Sequence, residues 1–278
     1  SFCDKMLPRM GIEVSYYDPC IGADIAQMMK PNTKVVFVES PGSNSFEIQD
    51  VPAIVAAAHA GGALVIADNT YGAGYYYKPL AHGVDVSVQA VTKYLCGHSD
   101  VMMGSITTTE AAWPATIAAH GTIGQSVAPD DAYLVLRGIR TLGARLERHM
   151  KTGITLASWL EARPEVQRVL HPALESHPQH ALWKRDFTGA CGLFSFIMKP
   201  CADEALAAFF DTVELYGMGY SWGGYESLII PQDMMPYRSA TSGDFGGQLI
   251  RIHAGLEDPA DLIEDLDRAF AAFNEVDR

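Results

Sequence analysis

Apolar residues fall in short unbroken runs through the first half of the chain. Val35-Val36-Phe37-Val38 is one and Leu64-Val65-Ile66-Ala67 a second; Val84 to Ala90 reads as a third strand and Gly104 to Thr109 as a fourth. Runs of this length without alternation predict strands buried on both faces, as in a parallel sheet. Between the first two, Asp50 offers an N-cap, Pro52 sits in a first turn, and an alanine-rich stretch predicts a helix to about Ala60. This strand–helix–strand order predicts a mainly parallel α/β sheet.

The second half has a different rhythm. Leu142, Leu146, Gly153, Leu156 and Leu160 recur near helical spacing, so roughly Thr141 to Arg163 reads as one long helix stopped by Pro164. Strands are expected at Gly192–Met198 and Leu249–His253. Asp258-Pro259 pairs an N-cap with a first-turn proline and opens a last helix, with Leu262, Leu266, Phe270 and Phe273 on one face. The pattern divides the chain into residues 1–139, a large α/β domain, and residues 140–278, a smaller C-terminal α+β domain, with the boundary near Gly138–Thr141.

Composition narrows the function. The 278 residues carry a net charge of −13, which argues against nucleic acid and anionic membrane surfaces as partners. The densest basic stretch, Arg137 to Lys151, is diluted by leucines and reads as helix. Val51 to Ala67 is the longest uncharged stretch, but Pro52, His59 and Gly61-Gly62 make it helix, turn and strand rather than a membrane span. Five cysteines (Cys3, Cys20, Cys96, Cys191 and Cys201) form no CxxC pair, which argues against a disulfide scaffold or zinc site and for a reducing cytoplasm. The nine histidines include no HExxH, so no metal site is expected. No signal peptide is legible at Ser1-Phe2-Cys3-Asp4-Lys5-Met6, and the missing initiator Met leads us to expect a processed or truncated start.

Ligands of an open α/β sheet bind beyond the carboxyl ends of its strands. Asp68-Asn69-Thr70 and Thr92-Lys93-Tyr94 sit at two such ends. A carboxylate and a lysine so placed suit pyridoxal phosphate, which needs an amine for its aldehyde and an acid to keep its ring nitrogen protonated. A strand-end aspartate equally caps a helix, and a strand-end lysine equally reaches into solvent; spacing leaves both readings open. His98 and Cys96 lie near Lys93 and read as a structural or solvated histidine and a buried inert thiol. Gly217-Met218-Gly219 starts like a dinucleotide loop but has Trp222 where the third glycine belongs.

Longer segments carry a resemblance. Thr92-Lys93-Tyr94-Leu95-Cys96-Gly97-His98-Ser99-Asp100 resembles the cofactor-lysine segment of the Cys/Met-metabolism PLP enzymes, a fold-type I family. Ala67-Asp68-Asn69-Thr70 is similar to their pyridine-binding strand end, and Glu39-Ser40-Pro41 to a further family segment. Leu249 to Asp258, with Arg251, is similar to their substrate-carboxylate segment. Likeness to the β-eliminating branch runs from about residue 2 to the end, including Ile21-Gly22-Ala23-Asp24-Ile25, Trp183 to Gly189 and Tyr220 to Leu228.

The resemblance implies a carbon–sulfur lyase that takes a small amino-acid substrate, cystathionine, to homocysteine, pyruvate and ammonia in methionine biosynthesis. It implies Lys93 as the residue that carries the cofactor and then shuttles protons. Asp68 would hold the ring nitrogen, Thr92 the phosphate, and Arg251 the substrate α-carboxylate. Ser221 and Trp222 would line the substrate pocket, although a tryptophan there is also a common core aromatic. Trp222 favours β-elimination over the γ-acting alternatives: cystathionine γ-synthase, cystathionine γ-lyase and methionine γ-lyase. A homotetramer built from two dimers is implied as well. Two departures stand out. Gly42-Ser43-Asn44 replaces the Asn-Pro of many relatives. Relatives also carry a preceding segment with a ring-stacking tyrosine, a phosphate-binding turn and an intersubunit arm, so residues 1–139 are expected to encode an incomplete large domain. A truncated, non-catalytic fragment is the reading from outside the enzymes.

Overall fold

Within the first strand, β1 (Val35–Glu39), Val36 and Val38 turn inward while Val35 and Phe37 remain 47% and 52% exposed. The expectation that this run is buried on both faces is therefore corrected. The inward face packs on α1 (Val51–Ala60), which presents Val51, Ile54, Val55 and Ala58; the face bearing Val35 and Phe37 lies open. The computed structural model describes residues 2–277; Ser1, on which the expectation of a truncated start rests, lies outside them.

The helix α1 forms where its caps predict. Asp50 accepts the Ala53 amide at 3.3 Å, Pro52 fills the first turn and Gly61 follows the last residue. Next come β2 (Leu64–Asp68), β3 (Val86–Ala90) and β4 (Gly104–Thr108), giving a sheet in the order β1-β2-β3-β4. The first three strands are parallel and β4 runs antiparallel at the edge, so the sheet is mainly parallel, as expected. The third strand starts two residues later than the sequence predicts. At Asp85 the side chain instead accepts the Val65 amide at 2.7 Å and meets His59 Nε2 at 2.9 Å.

The basic stretch around residue 140 is two helices rather than one. After α2 (Trp113–Ile123), α3 (Pro129–Ile139) ends and α4 (Leu142–Glu161) begins across Arg140-Thr141. Arg145 from this stretch is buried, donating to the Tyr94 and Gly138 carbonyls at 2.8 and 2.9 Å.

The second sheet is antiparallel, in the order β5 (Val166–Leu170), β6 (Leu193–Met198), β8 (Leu249–His253), β7 (Leu228–Gln232). The helices α5 (His180–Asp186), α6 (Asp203–Thr212) and α7 (Pro259–Val276) complete the element order. Side chains alternate across a strand, and here that alternation sorts core from site. Phe194, Phe196, Ile250 and Ile252 enter a core with Leu156 and Leu160 of α4, Phe209 of α6, and Leu262, Leu266, Phe270 and Phe273 of α7. Leu193, Ile197 and Leu249 turn the other way, into a cluster with Tyr94 and Trp222. By the same period of two, Arg251 and His253 share the face of Leu249.

Strand register sets one unusual proton. Glu39 lies beside Asp68 at the carboxyl ends of β1 and β2. Burial, and then the Asp68 charge, raise the Glu39 carboxyl from 4.5 to about 7, against the lowering effect of the Ser43 amide it accepts at 3.1 Å. A carboxyl that holds its proton more tightly when folded contributes fully below about 4.5, and that contribution is lost as pH rises toward about 7. In cofactor-free protein, Glu39→Gln should therefore gain melting temperature relative to the parent as pH is raised through that window. A difference between the two proteins that does not change with pH would contradict the assignment.

Candidate active site

The site starts from two strand ends. β2 and β3 are parallel neighbours, so their carboxyl ends lie on one edge of the sheet. Asp68 ends β2 and accepts the Thr70 amide at 2.9 Å through Oδ1; the Thr70 hydroxyl accepts the Ala90 amide at 2.8 Å, joining the two ends. After β3 the chain turns. The Lys93 amide donates to the Ala90 carbonyl at 3.0 Å and the Lys93 carbonyl accepts Gly97 at 2.8 Å. This turn fixes the Lys93 backbone and leaves its side chain to project from the sheet edge.

The Lys93 amine meets residues from far along the chain. Nζ donates to Ser221 Oγ at 2.8 Å and stands 5.4 Å from the centre of the Trp222 ring. Burial first, and the Arg251 charge second, hold its pKa below that of a solvated lysine. Gly223, at φ +84, makes the approach possible: a Cβ there would lie 2.8 Å from the Tyr94 nitrogen and 2.9 Å from the Lys93 carbonyl carbon. Trp222 is buried against Tyr94, with ring centres 5.5 Å apart, as a core aromatic is.

Arg251 comes from the middle of β8 and is buried. Nη1 donates to Asn44 Oδ1 at 2.8 Å and Nη2 to the Tyr220 carbonyl at 2.6 Å. The fork is thus held in one orientation by two segments, 42–47 and 220–224. Asn44 was not singled out as a functional residue in the sequence; only the departure at Gly42-Ser43-Asn44 hinted at it.

Thr92 is engaged elsewhere. Its hydroxyl donates to the Met103 carbonyl at 3.3 Å and accepts the Met103 amide at 3.0 Å, tying β3 to the start of β4. A phosphate would compete with Met103 for that proton. His98 is exposed and meets the Cys96 carbonyl through Nδ1 at 2.7 Å. The Cys96 thiol is buried, and burial raises its pKa, which makes it a poor nucleophile. Gly217-Met218-Gly219 leads into the 220–227 loop and β7, not into a helix, so it lacks the geometry of a dinucleotide loop. A cavity of about 160 Å³ lined by His98, Asp100, Leu134, Arg137 and Thr141 lies apart from Lys93, Asp68 and Arg251. Ser221 and Tyr220, the partners of Lys93 and Arg251, are exposed.

The donor set fits pyridoxal phosphate. An amine with a lowered pKa suits imine formation, and a carboxylate at the neighbouring strand end suits a protonated ring nitrogen. A fixed guanidinium suits a carboxylate substrate.

The comparisons with known proteins agree. The family model described as "Cys/Met metabolism PLP-dependent enzyme" matches residues 1–271. A putative cystathionine beta-lyase of Rhizobium johnstonii is 50% identical over 99% of this chain and 70% of its own length. The cystathionine beta-lyase MetC of Escherichia coli is 49% identical over 97% of this chain and 70% of its own. The crystal structure of metB from Corynebacterium glutamicum superposes with a TM-score of 0.88 at 30% identity, covering 97% of this chain and 71% of that one. The family match along nearly the whole chain, with relatives about half identical over almost all of it, leads to one conclusion: the chain belongs to the Cys/Met-metabolism family of PLP-dependent enzymes.

Proposed function

We propose that this chain is a PLP-dependent carbon–sulfur lyase that performs β-elimination on cystathionine, releasing homocysteine, pyruvate and ammonia. The observation that carries the reading is the Lys93 amine, 2.8 Å from Ser221 Oγ with its pKa lowered by burial and by Arg251. Bound at Lys93, pyridoxal phosphate supplies an electron sink for the pair left at the substrate α-carbon.

The chain's own groups would do the rest. Lys93 Nζ would remove the α-proton of the bound substrate. Burial first and the Arg251 charge second lower its pKa, which favours the uncharged form relative to a solvated lysine. Ser221 Oγ would hold Nζ in place between steps, and the ammonium so formed would return its proton to the departing sulfur. Asp68 keeps the ring nitrogen protonated through a charge-assisted hydrogen bond. Arg251 holds the α-carboxylate and so orients the α-C–H bond. Trp222 walls the pocket beside Nζ. Thr92 would serve the phosphate once its proton leaves Met103.

We read residues 1–139 as the cofactor-binding domain and 140–278 as the small domain, with Arg251, Ser221 and Trp222 supplied by the second. We also read the assembly as a homotetramer of two dimers. Exposed apolar side chains on α2 (Trp113, Ile117, Ile123) and α3 (Tyr133, Leu136, Ile139) support a contact between copies. The five free thiols support a reducing, cytoplasmic setting. No described helix is long and apolar enough to cross a membrane.

Two substitutions test the reading. Lys93→Ala should abolish pyruvate release from cystathionine while the protein still folds; retained turnover contradicts the role of Lys93. Release of 2-oxobutyrate in place of pyruvate by the parent enzyme would assign it to γ-elimination instead. Arg251→Lys should raise KM by roughly a hundredfold with a smaller change in kcat, because a point charge replaces a two-pronged fork. An unchanged KM would mean that Arg251 only braces Asn44 and Tyr220.

A further inference from the structure

β8 presents two polar side chains on the face turned to the site, and Arg251 accounts for one. The other, His253, is 1% exposed. Its Nε2 lies 3.1 Å from the Gly223 amide and 3.3 Å from the Gly224 carbonyl. One nitrogen cannot serve both, since the amide needs a lone pair and the carbonyl a proton. The amide decides the matter. A protonated Nε2 would set two N–H groups head to head in a buried place. Nε2 is therefore bare and the proton sits on Nδ1.

That Nδ1 has no hydrogen-bond partner. Beside it, with ring centres 5.2 Å apart, is His149. His149 Nδ1 is 2.8 Å from the Ala254 carbonyl and must carry the proton, which leaves its Nε2 bare and also unpartnered. The two atoms have opposite roles, a donor on His253 and an acceptor on His149, yet no hydrogen bond joins them; the rings meet by tilted packing. Burial keeps both rings neutral, lowering His149 to about 4 and His253 well below its ordinary value.

The grip of His253 falls at a sensitive place. Gly223 is where the 220–224 loop touches the Lys93 backbone. Two residues earlier, Ser221 holds Lys93 Nζ. Arg251 grips the same loop at Tyr220. A single strand thus clasps the loop at two points, and the hydroxyl on Lys93 lies between them. We propose that His253 is a positioning residue of the lyase site: as a neutral Nδ1–H ring backed by His149, it holds the Gly223 amide and so keeps Ser221 on the Lys93 amine. The proposal rests on the lyase reading for its kinetic consequence, and on geometry alone for the loop.

The test compares two amides. In His253→Gln the side-chain oxygen reaches the place of Nε2; in His253→Asn it stops short. Two readouts are taken on the cofactor-loaded enzyme: hydrogen exchange of the peptide spanning Gly223, which needs no catalysis, and kcat and KM for cystathionine. The Asn variant should exchange that peptide about tenfold faster and lose about tenfold in kcat with KM nearly unchanged, and the Gln variant should recover both to within about threefold. In a Ser221→Ala background the Asn change should cost no further kcat, because both act through one hydroxyl. Gln and Asn variants that are equally impaired, or both equal to the parent, overturn the proposal. So does fast exchange of the Gly223 amide in the unmodified enzyme, a measurement that no folding failure can obscure. Exchange that follows the expected pattern in protein releasing no pyruvate overturns the lyase reading and supports the clasp.

Discussion

The hydrogen bond from Lys93 Nζ to Ser221 Oγ spans 128 residues of sequence in 2.8 Å. One end belongs to the turn after a strand of the parallel sheet, the other to a loop clasped by the antiparallel sheet. Each end is fixed by backbone hydrogen bonds and close packing, not by the lysine itself. A site mounted on rigid elements holds its geometry without spending the binding energy of its ligand. The contact also sets chemistry, because the same approach that buries the amine brings Arg251 near enough to lower its pKa.

Charge is laid out in two pairs across this junction. Lys93 and Arg251 are the cations, drawn from the two sheets. Glu39 and Asp68 are the acids, set side by side by the parallel register of β1 and β2. Burial and the neighbouring Asp68 charge raise the Glu39 carboxyl to about 7, so it holds its proton more tightly than an ordinary carboxyl. The overall charge of −13 plays no part in this; the local arrangement does.

Much of the fold was legible because its signals are local. Asp50 and Asp258 cap helices as their neighbours predict, and Leu262, Leu266, Phe270 and Phe273 share the buried face of α7. β7 escaped notice because Pro231 interrupts it, which an edge strand tolerates. β5, also an edge strand, is broken by polar Gln167 and Arg168 and so gives no apolar run. The open face of β1 could not be read from an apolar run, which says that a face needs cover but not what covers it. Lys93, Asp68 and Arg251 stood out through motif resemblance. Asn44 and His253 did not, although His253 follows Arg251 at the two-residue period that puts both on one face. Their importance lies in which backbone groups they hold, and that depends on contacts far apart in sequence.

The central claim concerns one covalent attachment. Borohydride reduction of the cofactor-loaded protein makes a Schiff base permanent, and peptide mass spectrometry then locates the pyridoxyl label. The account predicts a single label, on the peptide containing Lys93. A label on another lysine, or no label from protein that still turns over cystathionine, would contradict it.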